Sequence, residues 1–425
     1  MQRWRKFGVL ALLTIGTALA GCLGGKAQAP RTEIRFCFFG GYEAWQMFRA
    51  IVREFEAQEP TLRVKLIYWP GNYEDRLKLV MAAGTAPDVV TVQDEPFAAY
   101  CARNQFLDLT PFIRRHPREY APDRFFPTAL EVFRYRGRQY TLPWNGGMVL
   151  VYYNKTLFDA AGLPYPARDW TWSDFLTACR RLTRDLDGDG RIDQYGFELP
   201  THWMNALPFI WSAGGDTLSD DMTRPTWSDP RTLAGLRFMY DLRFEHRVVP
   251  LAAEFTGLDQ NTLFMTRRVA MVHNGPWGLP FMRQTGLDWD IAHMPIGPAG
   301  RWTRATWDGV SIFRRSRHPE AAWKFIHFLC GERGQWHVAH SGRALPARRS
   351  QAAAFVRADT PQREEVFLEA MEMGYARLQK MPERWAQIDS ECRPEMERLL
   401  LGRQTPEEMA SSLQRKVTRI LEGAP

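Results

Sequence analysis

Between residues 34 and 92 the apolar spacing switches repeatedly from that of a strand to that of a helix, and this alternation limits the fold more than any other feature of the chain. Ile34-Arg35-Phe36-Cys37-Phe38-Phe39 reads as a strand stopped by Gly40-Gly41, and Ala44, Phe48, Ile51, Val52 and Phe55 follow at helical spacing. Residues 63–68 read as a second strand, Tyr73, Leu77, Val80 and Met81 mark a second helix, and Val89-Val90-Thr91-Val92 reads as a third strand. Strands alternating with helices predict a parallel sheet with helices on its faces. In such sheets ligands bind beyond the carboxyl ends of the strands. That rule selects three loops of one rim: Gly40-Gly41-Tyr42, Asn72-Tyr73 and Asp94-Glu95.

A basic, helical stretch covers residues 111–135, and Arg136-Gly137-Arg138 reads as a tight turn. Residues 148–153 form a continuous apolar strand ending at Asn154, a helix cap. Beyond it the pattern predicts helices over 173–183, 230–245 and 259–267, with strands over 269–273 and 290–294. About four hundred residues exceed what one core usually serves, so two α/β lobes are expected.

The N-terminus places Arg3, Arg5 and Lys6 before the apolar run 7–19, which is followed by Leu19-Ala20-Gly21-Cys22. The run is shorter than the roughly 20 residues that cross a bilayer, so residues 1–21 read as a signal peptide. Leu-Ala-Gly-Cys resembles a bacterial lipobox, which implies cleavage before Cys22 and acylation of its thiol. More than one acyl chain gives stable anchoring. Residues 22–32 are then the lipidated Cys and a small-residue tether. Removal of residues 1–21 takes away three of the 55 basic residues, leaving 52 against 48 acids and a net charge of +4. These charges are interleaved, which excludes a nucleic-acid partner. Besides Cys22 there are Cys37, Cys101, Cys179, Cys330 and Cys392, an odd number without a CxxC pair. Cys37 and Cys330 lie in apolar runs and are expected to pack as small hydrophobes, with no metal or redox role.

Several segments resemble, in order, those of the extracellular solute-binding proteins of ABC importers, the family 1 group similar to maltose-binding protein. They are Ala83-Gly84-Thr85-Ala86-Pro87-Asp88; Leu142-Pro143-Trp144 with Tyr152-Tyr153-Asn154-Lys155; Trp170-Thr171-Trp172-Ser173; Asn274-Gly275-Pro276-Trp277; Pro319-Glu320-Ala321-Ala322-Trp323; and Leu345-Pro346-Ala347-Arg348. The resemblance implies a two-lobed periplasmic-binding-protein-like fold of type II, each lobe a sheet flanked by helices, closing by hinge motion. It divides the chain into a first lobe of 33–146 plus 308–351 and a second of 147–307 plus 352–425. Crossings fall near Gly146-Gly147, Thr306–Gly309 and Gln351. Gly146-Gly147 is either a hinge, glycine absorbing backbone change, or a simple turn.

The implied function is capture of a mono- or oligosaccharide between the lobes by a monomer, and its delivery to the permease subunits of an ABC importer. Sixteen Trp residues, many outside the periodic segments, suit the apolar face of a sugar, and Asp, Glu, Asn and Arg suit its hydroxyls. The candidate ligand-binding residues are Tyr42, Tyr73, Asp94, Glu95, Trp144, Asn145, Trp211, Trp277, Trp307, Asp308 and Arg343. Trp277 resembles the position where sugar-binding members stack an aromatic. Tyr73 and Trp211 have packing as a competing role, and Arg343 either reaches the cleft or faces solvent.

Asp185, Asp187, Asp189, Arg191 and Asp193, with Gly at the sixth place, fit the first nine positions of a calcium loop. Position twelve is Gly196, leaving Glu198 or water to supply the last ligand. The loop is expected either to hold a structural Ca2+ or to be a plain Asp/Gly turn. An enzyme is not expected: Asp94 and Glu95 are adjacent and point apart on an extended chain, a poor pair for glycoside hydrolysis. The alternative solute is glycerol 3-phosphate or another non-sugar, which would want two or more cations where Arg343 alone stands out.

Overall fold

The computed structural model describes residues 31–199, 202–251, 254 and 257–423. Cys22 and the expected signal peptide lie outside the described residues. Two sheets organise the chain. A seven-stranded sheet runs in the order Leu345–Pro346, Thr141–Met148, Thr303–Ile312, Val89–Gln93, Thr32–Phe38, Leu62–Tyr68, with Ala376–Leu378 beside Thr303–Ile312. A four-stranded sheet runs Trp289–Ala292, Leu150–Asn154, Val269–Asn274, Tyr195–Glu198.

The first three strands are parallel, as the alternation predicts. The sheet as a whole is mixed, however: Thr303–Ile312 runs antiparallel to both Val89–Gln93 and Thr141–Met148. The second sheet is mixed too. The expectation of parallel sheets fails because each sheet admits strands that return from the other half of the chain, and such partners need no crossover helix.

Local sequence explains the elements. Helix Tyr42–Gln58 buries Ala44, Met47, Phe48, Ile51, Val52 and Phe55, one stripe at helical spacing. Strand Leu150–Asn154 is buried along its whole length, so it reads as a continuous apolar run. Asn154 then caps helix Lys155–Ala160 by accepting from Leu157 N at 3.1 Å. Helices Trp172–Leu182 and Pro406–Glu422 each start with a complete capping box, Thr171/Asp174 and Thr405/Glu408.

Each sheet carries its own apolar core. Trp144 and Trp307 lie in the core of the first lobe, Trp203, Trp211 and Trp227 in that of the second, all fully buried. Tryptophan richness therefore reports core packing more than ligand contact. Cys37, Cys101, Cys179, Cys330 and Cys392 are all buried and free. Among the described residues no helix is long and apolar enough to cross a membrane.

The chain passes between the sheets after Met148 and again before Thr303. The boundaries expected at 146/147 and 307/308 fall inside continuous strands, because Thr141–Met148 and Thr303–Ile312 pair with one another right up to the crossing. Gly146 and Gly147 are rungs of that ladder, opposite Trp307 and Thr306. A Cβ at Gly146 would sit 2.2 Å from the Trp307 ring, and one at Gly147 2.4 Å from Pro276 Cγ. Neither has a positive φ. Close approach, of the Trp307 ring within the first lobe at Gly146 and of Pro276 from the second lobe at Gly147, requires glycine here, not torsional freedom.

Candidate functional site

A cavity of about 260 Å³ opens between the lobes, lined by Phe39, Gln93, Glu95, Asn145, Trp277, Arg304, Thr306, Asp308 and Arg343 among others. Its polar wall is set by strand geometry. Arg304, Thr306 and Asp308 alternate along Thr303–Ile312, and residues two apart share one face of a strand. Trp307, between them, turns the other way into the core, where its Nε1 donates to Thr128 Oγ1 at 3.0 Å. The same alternation on Thr141–Met148 brings Asn145 to the cleft and buries Trp144 against Phe48.

The charged groups brace one another. Arg304 Nη2 donates to Glu95 Oε1 at 2.7 Å and lies 3.9 Å from Asp94 Oδ1. Asp94, buried, accepts from Thr306 Oγ1 at 3.2 Å and from the Trp307 backbone N–H at 3.3 Å. Burial raises the pKa of Asp94, against the pull of Arg304. Burial likewise pushes the Asp308 carboxyl up to about 7, with Arg343 opposing and Asp94 and Glu95 adding to the rise. Carboxyls held near neutrality both donate and accept hydrogen bonds.

The second lobe answers with one flat surface. Trp277 follows strand Val269–Asn274 on the short turn Pro276–Gly278 and is 44% exposed. An apolar plate opposite convergent polar groups is what a small polar ligand requires.

Of the residues singled out by sequence, Glu95, Asn145, Trp277, Asp308 and Arg343 meet at this cavity, and Trp307 also borders it although its ring is buried in the core. Asp94 stands behind Glu95 and orients Thr306 and Arg304. Four assignments are corrected. Tyr73 is a core residue whose hydroxyl donates to Thr91 O at 2.8 Å. Trp211 is buried in the second lobe, its Nε1 on Asp216 at 3.1 Å. Trp144 is buried too, with the Arg343 guanidinium 6.0 Å from its ring centroid. Tyr42 is exposed and stacks on Trp45 at 5.8 Å, away from the cavity lining. Arg304 and Thr306 were missed; they stand four and two residues before Asp308, a spacing that puts all three on one face of a strand. Phe39, which follows the first rim strand, and Gln93, which ends the third, were missed as well.

A larger hollow of about 1160 Å³ lies beside the Asp185–Asp193 segment, lined by Arg191, Arg243 and Arg268 among others. Its described lining comes from the second lobe alone, so occupancy there would not draw the lobes together.

In that acidic segment Asp185, Asp187 and Asp193 bring carboxylate oxygens within 4.8 Å of one another. Asp185 accepts from Gly188 N and Gly190 N at 2.6 and 2.9 Å, and Asp193 from Leu186 N at 2.8 Å, which folds the loop around its acids. Asp189 accepts instead from Arg191 N at 2.8 Å and stands outside the cluster. Three convergent oxygens fit part of a calcium shell, which takes six to eight. Glu198 does not complete it: this side chain is paired with Arg243 at 3.5 Å.

Comparison with known proteins matches residues 46–336 to the family model described as bacterial extracellular solute-binding protein. The maltotriose-binding protein of Pyrococcus abyssi is 24% identical over 290 residues, covering 67% of this chain and 59% of that protein. The multiple sugar-binding protein of Streptococcus mutans is 24% identical over 354 residues, 77% of this chain and 79% of that protein. An ABC substrate-binding protein of Listeria monocytogenes solved in complex with cycloalternan superposes with a TM-score of 0.84 at 26% identity, covering 93% of this chain and all of that one.

Proposed function

The chain belongs to the bacterial extracellular solute-binding protein family, that of the ABC-importer receptors its ordered motifs resemble, and from that premise we propose that it captures a carbohydrate in the interlobe cleft. The observation that carries this reading is the half-exposed Trp277 ring set across from Glu95, Asn145, Thr306 and Asp308. A mono- or oligosaccharide offers a C–H face to the ring and hydroxyls to the opposite wall. The names of the Pyrococcus, Streptococcus and Listeria relatives support the same class of ligand.

Two guanidiniums at the cleft, Arg304 and Arg343, favour a second reading, a phosphorylated polyol such as glycerol 3-phosphate. Glu95 weighs against it, because it already holds Arg304 at 2.7 Å and so leaves that guanidinium engaged. Titrating tryptophan fluorescence and melting temperature with mono- and oligosaccharides and glycerol phosphates separates the two. A response to a sugar is expected. A response to glycerol phosphate alone would replace the carbohydrate reading.

The ligand-loaded receptor closes and is handed to the permease subunits of an ABC importer. Closure needs tighter binding to the closed form than to the open one. The chain works as an exported monomer without catalysis of its own, held to a membrane through acylated Cys22 so that its concentration near the transporter is raised. Mass analysis of the mature N-terminus tests the anchor: an unmodified chain beginning before Cys22 would remove it. A structural Ca2+ at Asp185, Asp187 and Asp193, with water completing its shell, is part of this reading. Metal analysis before and after chelator treatment tests it, and no calcium in either sample would exclude it.

A further inference from the structure

On the first lobe, away from the cleft, His116, Glu119 and His327 each turn a ligand atom toward a common point, all within 4.8 Å of one another. His116 Nδ1 lies 3.5 Å from Glu119 Oε1, and His327 Nε2 lies 3.2 Å from Glu119 Oε2. Bonds of roughly 2.0–2.1 Å to a tetrahedral ion place neighbouring ligand atoms about 3.3 Å apart. The cluster therefore needs little rearrangement to close on a cation.

Half of it is preset by the local backbone. The N–H groups of Glu119 and Tyr120 both donate to His116 O, at 3.1 and 3.2 Å, so His116 and Glu119 stand one helical turn apart on the same side. His327 comes from helix Pro319–Leu329. Its second ring nitrogen, Nδ1, lies 2.9 Å from the hydroxyl of Tyr120, which is buried. With Nδ1–H donating to that hydroxyl, Nε2 is left with its lone pair toward His116 and Glu119. Metal-ligating histidines are normally oriented in this way by their other nitrogen. The Trp323 ring walls the site, 6.0 Å from His116 and 5.5 Å from His327. Glu119 is half exposed and opens, with His327, onto a hollow of about 460 Å³, which leaves room for a fourth ligand from solvent.

We propose that His116, Glu119 and His327 bind a late first-row divalent cation of the zinc class, with water in the fourth position, and thereby staple the turn at 116–120 to helix Pro319–Leu329. Two imidazoles and one carboxylate suit zinc over calcium or magnesium, which prefer oxygen shells. Tyr120 is a positioning residue. The site is independent of whatever the cleft captures.

The test uses the full chain, stripped with chelator and titrated calorimetrically with zinc chloride, with Co2+ as a spectroscopic stand-in. One equivalent of zinc, a tetrahedral Co2+ absorption band and a rise in melting temperature are expected. His116→Ala and His327→Ala are expected to abolish all three, Tyr120→Phe to weaken zinc binding about tenfold or more, and Asp187→Asn to leave it unchanged. Glu119→Gln, at a half-exposed position, serves if a histidine variant does not fold. The proposal is overturned if the stripped chain takes up no zinc, or if uptake is undiminished in the histidine variants or in Glu119→Gln. Loss of uptake in Asp187→Asn alone would assign the ion to the acidic loop and overturn it equally.

Discussion

The two walls of the cleft are built on different plans. The first-lobe wall is a sheet surface on which Arg304, Thr306 and Asp308 alternate along one strand and are braced by Asp94 and Glu95. Among the described residues, the second-lobe wall is one aromatic ring on a short turn. Hydrogen-bonding groups must be aimed, and paired strands aim them; an apolar plate needs only a face, and a turn supplies it. Substitutions behind the first wall should therefore cost folding, and those on the second only binding.

The largest expected effect lies behind the first wall. Trp144→Ala should lower unfolding free energy by about 3–5 kcal/mol in denaturant titration. A loss below about 1 kcal/mol would take Trp144 out of the core. Next comes the seam between the walls. Gly147→Ala forces a methyl against Pro276 Cγ and should cost about 1–3 kcal/mol through overpacking. Scattering should also show a looser ligand-bound form; unchanged compaction would mean that the lobes do not meet at Pro276 in the loaded state. On the second wall, Trp277→Ala should weaken sugar binding about tenfold, about 1.4 kcal/mol, at an unchanged melting temperature. Parallel loss of stability would show that the ring is a packing residue.

The smallest effect separates the lobes by pH. Burial raises the Asp308 carboxyl from 3.8 to about 7, so the folded first lobe binds this proton more tightly than the unfolded chain. Its contribution to stability is greatest below 3.8 and falls as pH rises toward 7. His273, in the second lobe, is buried with neither ring nitrogen hydrogen-bonded, and burial lowers it from 6.5 to about 3. Its contribution is present above 6.5 and is lost as pH falls toward 3. Asp308→Asn should thus steepen the rise of stability with pH, and His273→Phe should flatten it, each by less than about 1.4 kcal/mol per pH unit. Equal slopes in the two variants would break the contrast.

Much of the first lobe was legible because its opening strands and helices are consecutive in the chain and amphipathic at one period or the other. Ile34, Phe36, Phe48, Ile51 and Val89 are buried as their spacing predicts. Of the three rim loops, Asp94-Glu95 was legible for the same reason. The rest of the site was not. Trp144, Trp211 and Trp277 look alike in composition, yet two are core and one is exposed. Tyr73 follows a rim strand but opens a helix whose inner face takes it into the core.

What the sequence alone determined is the class of fold, the exported solute-binding family and one of the three rim loops, Asp94-Glu95, as part of the cleft, since periodicity and ordered motifs are local properties of the chain. What only tertiary structure decided is which side chains reach the cleft. Arg304 and Thr306 join Glu95 and Asp308 because strand Thr303–Ile312 inserts between Val89–Gln93 and Thr141–Met148. That pairing joins segments far apart in the chain, and its register, which no local pattern encodes, fixes the face each residue presents.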